Sequence, residues 1–240
     1  MSNTSSDALI TRLSALETGQ VSDVLDEAGY PNHALSSDLF PLIPGKRFAG
    51  RAACLRGEPF IQGATQVPAV PGNTLETLTT NGTIIVIEAG GFQSGALLGG
   101  FVAYSLQRAG ALAIVTDGAI RDADEIRELG LQCVQRTITP LNGARRWRMT
   151  RSDGPISLPG QTGVRVEIHQ GDLLLGDSDG VVVVPGSIAQ QIIEDTEELQ
   201  RIEWRIGEAL RNGAERAQAF AANPRFAHIR PALNIASNKH

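Results

Sequence analysis

The chain has 240 residues, 42% apolar and 20% charged, with a formal net charge of −5. That balance supports a sizeable core and excludes a disordered chain. The acidic surplus argues against nucleic acid as the main ligand, since neutralising phosphates needs a basic face, and basic runs such as Arg145-Arg146-Trp147-Arg148 are short.

No apolar run approaches the length of a bilayer crossing, and the polar stretch Met1 to Asp7 has no apolar signal segment. The expectation is a cytoplasmic protein in a reducing compartment, with no membrane partner. Cys54 and Cys133 stand far apart, and His33, His169, His228 and His240 are scattered, so no zinc spacing is present.

In chain order, Ser5 or Ser6 is placed to cap a first helix with apolar positions Leu9, Ile10, Leu13 and Leu16, ended by Gly19. Ser22 is placed to cap a short helix from Asp23 to Ala28, closed by Gly29. A strand is predicted over Phe48 to Leu55, a short helix over Leu75 to Thr80, and a buried strand over Thr83 to Glu88, TIIVIE. Gly90-Gly91 opens a loop to Gly99-Gly100, followed by a helix from Phe101 to Arg108 and a strand from Ala111 to Thr116. A helix at Asp124 to Leu129 and a strand at Gln132 to Thr137 complete the alternation, which implies parallel pairing.

Thr139 to Gly160 reads as loop, rich in Gly, Pro and Arg. Short β segments follow at Val164 to Ile168, Leu173 to Leu175 and Val181 to Val184. A helix from Ser187 to about Leu210 closes the pattern, with a polar tail expected on the surface or on a neighbour. A chain of this length forms one large domain or two small ones. Without a linker or an internal repeat, a single domain over residues 1–240 is expected.

The stretch from Ala96 to Glu125, ALLGGFVAYSLQRAGALAIVTDGAIRDADE, carries the chemistry. It reads as a glycine turn, a helix, a buried strand, and an Asp117-Gly118 turn that delivers Arg121 and Asp122. A guanidinium forks onto a carboxylate, and a neighbouring aspartate offers hard oxygen to Mg2+. A glycine turn opening a helix presents unpaired N–H groups and the positive dipole end to an anion. The plainer readings are a surface ion pair and glycines that only permit tight turns; for Gly90 and Gly91 the two weigh about equally.

This stretch resembles the core of the RraA-like family, which includes 4-hydroxy-4-methyl-2-oxoglutarate aldolases, oxaloacetate decarboxylases and the regulator of ribonuclease E activity. SALETGQVSDVLDEAG, PLIPGKRFAGRAACLRG and GVRVEIHQGDLLLGDSDGVVVVP extend the likeness over about 200 residues, in order. The resemblance implies an α/β fold, three-layer β/β/α of the swivelling-domain type, assembled as homotrimers or hexamers. It also implies a pyruvate-like substrate on Gly99, Gly100, Phe101, Val102 and Arg121, and Mg2+ or Mn2+ on Asp122. A second carboxylate is implied from a neighbour's C-terminal helix.

On a helical wheel Ile188, Ile192, Leu199, Ile202, Ile206 and Leu210 form one stripe. Glu203 lies at its edge and Glu197 opposite; Asp195 also falls in the stripe, so the choice of Glu203 rests on its place near the end of the family helix. One departure stands out. The aldolases carry an acidic residue twenty-one positions before the arginine, where this chain has Gly100.

The function implied is a metal-dependent lyase that cleaves a C–C bond in a small 2-oxo di- or tricarboxylic acid and releases pyruvate. The alternative is a non-catalytic regulatory protein of the same family. No GxGxxG, P-loop or GxSxG pattern supports an oxidoreductase or a serine hydrolase.

Overall fold

Residues 3–60 and 68–232 are described by the computed structural model of the protein, with side chains of the first helix from Ala8 onward. His240 and the end of the tail lie outside them. Helices α1 (Asn3–Ser14) and α2 (Thr18–Glu27) lead through β1 (Phe40–Pro41) to the long strand β2 (Phe48–Pro59). Next come α3 (Thr74–Leu78), β3 (Thr83–Glu88), β4 (Ala96–Leu98), α4 (Gly100–Ala109) and β5 (Ala111–Thr116). Then follow β6 (Ala119–Ile120), α5 (Ala123–Leu129), β7 (Gln132–Gln135), β8 (Thr137–Ile138) and β9 (Trp147–Arg151). Two hairpins, β10 (Ile156–Pro159) with β11 (Arg165–Ile168) and β12 (Leu173–Gly176) with β13 (Val181–Val184), precede α6 (Ala189–Arg211) and α7 (Arg216–Ala222).

The main sheet runs β1-β7-β5-β3-β2-β12-β13, with β9 also pairing β2. Strands β7, β5, β3 and β2 are parallel, as the helix–strand alternation predicts. Residue parity then sorts the core. Ile84, Val86, Ala113, Val115 and Val134 face the hairpin side chains Ile156, Leu158, Val166 and Ile168. Ile85, Ile87, Ile114 and Cys133 face the helices through Leu75, Ala103, Leu106 and Ile126. At the far end Leu173, Leu175, Val182 and Val184 meet α1, α2 and α6. Strand β3 is buried on both faces, which is why its centre, Ile84 to Ile87, is an unbroken apolar run. Hairpin, sheet and helices form the expected β/β/α layers.

Several boundaries differ from the sequence expectation. The first helix starts at Asn3, before Ser5 and Ser6, and stops at Ser14; Gly19 lies inside α2. Helix α2 begins at Thr18, five residues before the expected Asp23, because its cap comes from a distant loop. Asp177 Oδ2 accepts from the Thr18 N–H at 2.8 Å, and Oδ1 accepts from the Thr18 hydroxyl at 2.7 Å. The segment read as loop, residues 139–160, holds β9 and β10. The polar tail forms α7 and then folds back on its own chain. There Arg225 pairs with Asp23 and Glu203, Arg230 with Asp195, and the Ala232 N–H donates to Ala28 O.

The α6 stripe is likewise covered internally: Ile192 and Leu199 by the α1–α2 cluster, Ile202 and Ile206 against Ala219 of α7. Only its end, Leu210, is 39% exposed. The stripe therefore needs no second copy to bury it.

Burial pushes the Asp177 carboxyl up, but hydrogen bonds from Thr18 and Asp179 and the charge of Arg47 outweigh it and hold the group below the usual carboxylate range. A depressed folded value stabilises the fold above the unfolded pKa, and that contribution is lost as pH falls through the folded one. Asp177→Ala should cost about 1–2 kcal/mol at neutral pH, as for a lost helix cap. The gap from wild type should narrow below about pH 4, near the free carboxylate value. Urea midpoints at pH 7 and pH 3.5 check both; a gap equal at the two pH values would contradict the charge-based account.

Candidate functional site

Strand β5 leads into Asp117, which is fully buried. Its carboxylate accepts from the N–H groups of Ala89 at 2.6 Å and Gly91 at 2.9 Å, fastening the loop that leaves β3. Burial pushes the Asp117 carboxyl up, against those bonds and the nearby Arg165. Gly118 follows because a Cβ there would lie 2.8 Å from that of Ala89. The chain then forms β6, which pairs in parallel with β4, and the Arg121 N–H donates to Leu98 O at 3.1 Å. That pairing sets Arg121 and Asp122 beside the glycine turn between β4 and α4.

Asp122 adopts a left-handed conformation, φ 57° and ψ 42°, at the start of α5. Its carboxylate does not cap its own helix. Oδ2 accepts instead from the Gly100 N–H, in the first turn of α4, at 3.0 Å, and lies 3.5 Å from Arg121 Nε. Both side chains are about one-third exposed, 35% and 36%, so the pair is open to a ligand. No hydrogen bond among the described residues reaches the N–H groups of Phe101 and Val102. First-turn amides of this kind are available to an anion. Phe101 is 90% exposed beside them.

The glycines divide by cause. Gly90 and Gly91 sit at φ 66° and 73°, so the plainer reading holds there: they permit the backbone path. Gly99 is extended, φ −142°, and is needed for space: a Cβ on it would lie 2.3 Å from Asp122 Oδ2. A Cβ on Gly100 would lie 1.9 Å from Glu125 Oε2. Glu125, in the first turn of α5, stands where a side chain on residue 100 would go, a placement the local motif does not show.

The predicted residues Gly99, Gly100, Phe101, Val102, Arg121 and Asp122 thus come together. Glu203 does not join them within the chain. It accepts from Gln20 Nε2 at 2.7 Å and from Arg225 Nε at 2.8 Å, with no described contact to Arg121 or Asp122. Glu197 is paired with Arg12, and Asp195 with Arg230. Cys54 and Cys133 are free and buried, and burial pushes both thiols up to about 12, which leaves them protonated at neutral pH. No helix among the described residues is long and apolar enough to cross a membrane.

The chain is similar to several known proteins. A protein named DlpA from Legionella pneumophila is 26% identical over 218 residues, 88% of this chain, which spans only 33% of that protein's length. A 4-hydroxy-4-methyl-2-oxoglutarate aldolase of Thermus thermophilus is 30% identical over 157 residues, covering 65% of this chain and 87% of that one. The structure of Streptomyces coelicolor RraAS2, described as an unusual member of the RNase ES inhibitor RraA protein family, superposes with a TM-score of 0.72. It shares 26% identity and covers 85% of this chain and 98% of its own. The family described as RraA-like, Aldolase/RraA, matches residues 18–183. The chain belongs to the RraA-like family.

Proposed function

We propose that the protein is a divalent-metal-dependent lyase that cleaves a C–C bond in a small 2-oxo di- or tricarboxylic acid and releases pyruvate. The observation that carries this reading is the convergence at the N-terminus of α4, where Asp122 is held on the Gly100 N–H with Arg121 beside it. The N–H groups of Phe101 and Val102 and the guanidinium of Arg121 bind and orient the 2-oxo carboxylate.

Asp122 is the residue for the metal. Among the described residues no three His, Cys, Asp or Glu side chains gather into a cage, and the pair is partly exposed. That donor set fits Mg2+ or Mn2+, hard ions that keep several waters. When bound, such an ion polarises the 2-oxo group and stabilises the negative charge that the broken bond leaves. In decarboxylation of oxaloacetate the bond electrons pass to the 2-oxo unit as CO2 departs, and the resulting enolate takes a proton to become pyruvate. In retro-aldol cleavage a base must first remove the 4-hydroxyl proton. A homo-oligomer, trimer or hexamer, in which Glu203 of another copy completes the site, belongs to the same proposal; Glu203 would then have to leave Arg225.

The similarity to RraAS2 supports a second reading, a regulatory protein that binds a partner without turnover. Pyruvate release from oxaloacetate and from 4-hydroxy-2-oxo acids separates the two. The lyase reading expects metal-stimulated release from at least one of these acids, and release from none of them favours the regulator. Arg121→Lys should lower kcat/KM about tenfold or more, a loss of ~1.4 kcal/mol, because an ammonium cannot reproduce the forked contact. An unchanged kcat/KM would make the arginine merely structural.

A further inference from the structure

Glu125 has no assigned task in the site, yet its exposed carboxylate lies beside the turn. The nearest atom to a Cβ built on Gly100 is Glu125 Oε2, at 1.9 Å, with Cδ at 3.1 Å. The carboxylate can stand there only because residue 100 has no side chain. Its neighbour on the sequence, Asp124, is committed to Arg127 at 2.6 Å. No hydrogen bond or ion pair among the described residues engages Glu125. An uncommitted carboxylate thus lies against the first turn of α4, the same turn whose Gly100 N–H holds Asp122. The sequence lacks an acidic side chain at position 100, and the fold fills that space with one from α5.

We infer that Glu125 carries the proton that the reaction moves. The inference rests on the lyase reading above. Its chemistry is a balanced shuttle. The carboxylate takes a methyl proton from pyruvate, the C–H electron pair passes into the enolate, and the carboxylic acid exchanges its proton with solvent. In reverse, the acid protonates the enolate left by C–C cleavage and is itself reprotonated from water. In retro-aldol cleavage the same carboxylate receives the 4-hydroxyl proton. A carboxylate that serves only the helix dipole would support α4 and leave proton transfer unaffected.

The test is methyl hydrogen exchange of pyruvate in D2O with Mg2+, followed by proton NMR, in the full-length protein. Wild type should exchange. Glu125→Gln, nearly isosteric and on an exposed side chain, should exchange about 100-fold more slowly, within the range general acid–base groups supply. The pyruvate concentration for half-maximal rate should stay near wild type. Gly100→Asp placed in a Glu125→Ala background returns a carboxylate to the same space from the other Cα, and should recover part of the exchange that Glu125→Ala alone loses. Thermal melting of each variant separates lost chemistry from lost fold. Exchange in a folded Glu125→Gln protein at the wild-type rate overturns the inference and leaves the lyase reading intact. A wild-type protein that neither exchanges the methyl protons nor releases pyruvate from any of the acids above overturns both.

Discussion

Asp122→Asn should lower metal-stimulated kcat/KM by about 100-fold or more, with little loss of stability. Asparagine is the informative replacement because Asp122 sits at φ 57°. Asn and Asp tolerate that left-handed region, whereas alanine there adds about 1–2 kcal/mol of backbone strain. Asparagine also keeps an oxygen able to accept from the Gly100 N–H, now 3.0 Å from Oδ2. What it removes is the negative charge that, on the lyase reading, would hold a cation, and that lies beside Arg121. The expected signature is a large loss in the presence of Mg2+, a small one without it, and a melting temperature close to wild type. Turnover that still responds fully to metal in this variant would move the metal away from Asp122.

Gly99→Ala should reduce kcat/KM by about tenfold to 100-fold, on the scale of a misplacement near 1 Å. Its backbone is extended, φ −142° and ψ −165°, a region alanine adopts without strain. The effect is one of space: the new Cβ would meet Asp122 Oδ2 at 2.3 Å and Arg121 Cγ and Nε at 3.0 Å. Both functional side chains would have to shift off the turn. Gly90→Ala acts differently, since Gly90 has φ 66° and open space around it. That change should cost stability through the backbone and leave Arg121 and Asp122 in place. Parallel kinetics and melting curves distinguish the two glycines, and equal behaviour would contradict the steric account.

Much of the frame was legible in the sequence, because long regular elements carry their own periodicity. The strands Thr83–Glu88 and Ala111–Thr116 stand where the β-branched runs predict. The helix after Gly99 ends at Gly110, whose φ of 105° suits glycine. What the sequence hid depends on distant partners. Strands β4, β6 and β8 span two or three residues each, too few to show a period, and exist because they pair with one another. The start of α2 is set by Asp177, 159 residues away. Strand β9 is written in arginine, but it joins β2 and buries Trp147.

The site divided in the same way. Arg121, Asp122 and the glycine turn were readable as a local motif. Glu203 was chosen for its place near the end of the family helix, a criterion that cannot see Gln20 and Arg225 converging on it. The place of Glu125 depends on the bare Cα of Gly100, 25 positions earlier, which no local pattern shows.

The most direct measurement is pyruvate release from oxaloacetate by wild type and Asp122→Asn side by side, with Mg2+ and with excess chelator. The account predicts release by wild type that needs the metal, and a variant that is slow under both conditions. Wild-type release undiminished by the chelator, or a variant as fast as wild type with Mg2+, would contradict it.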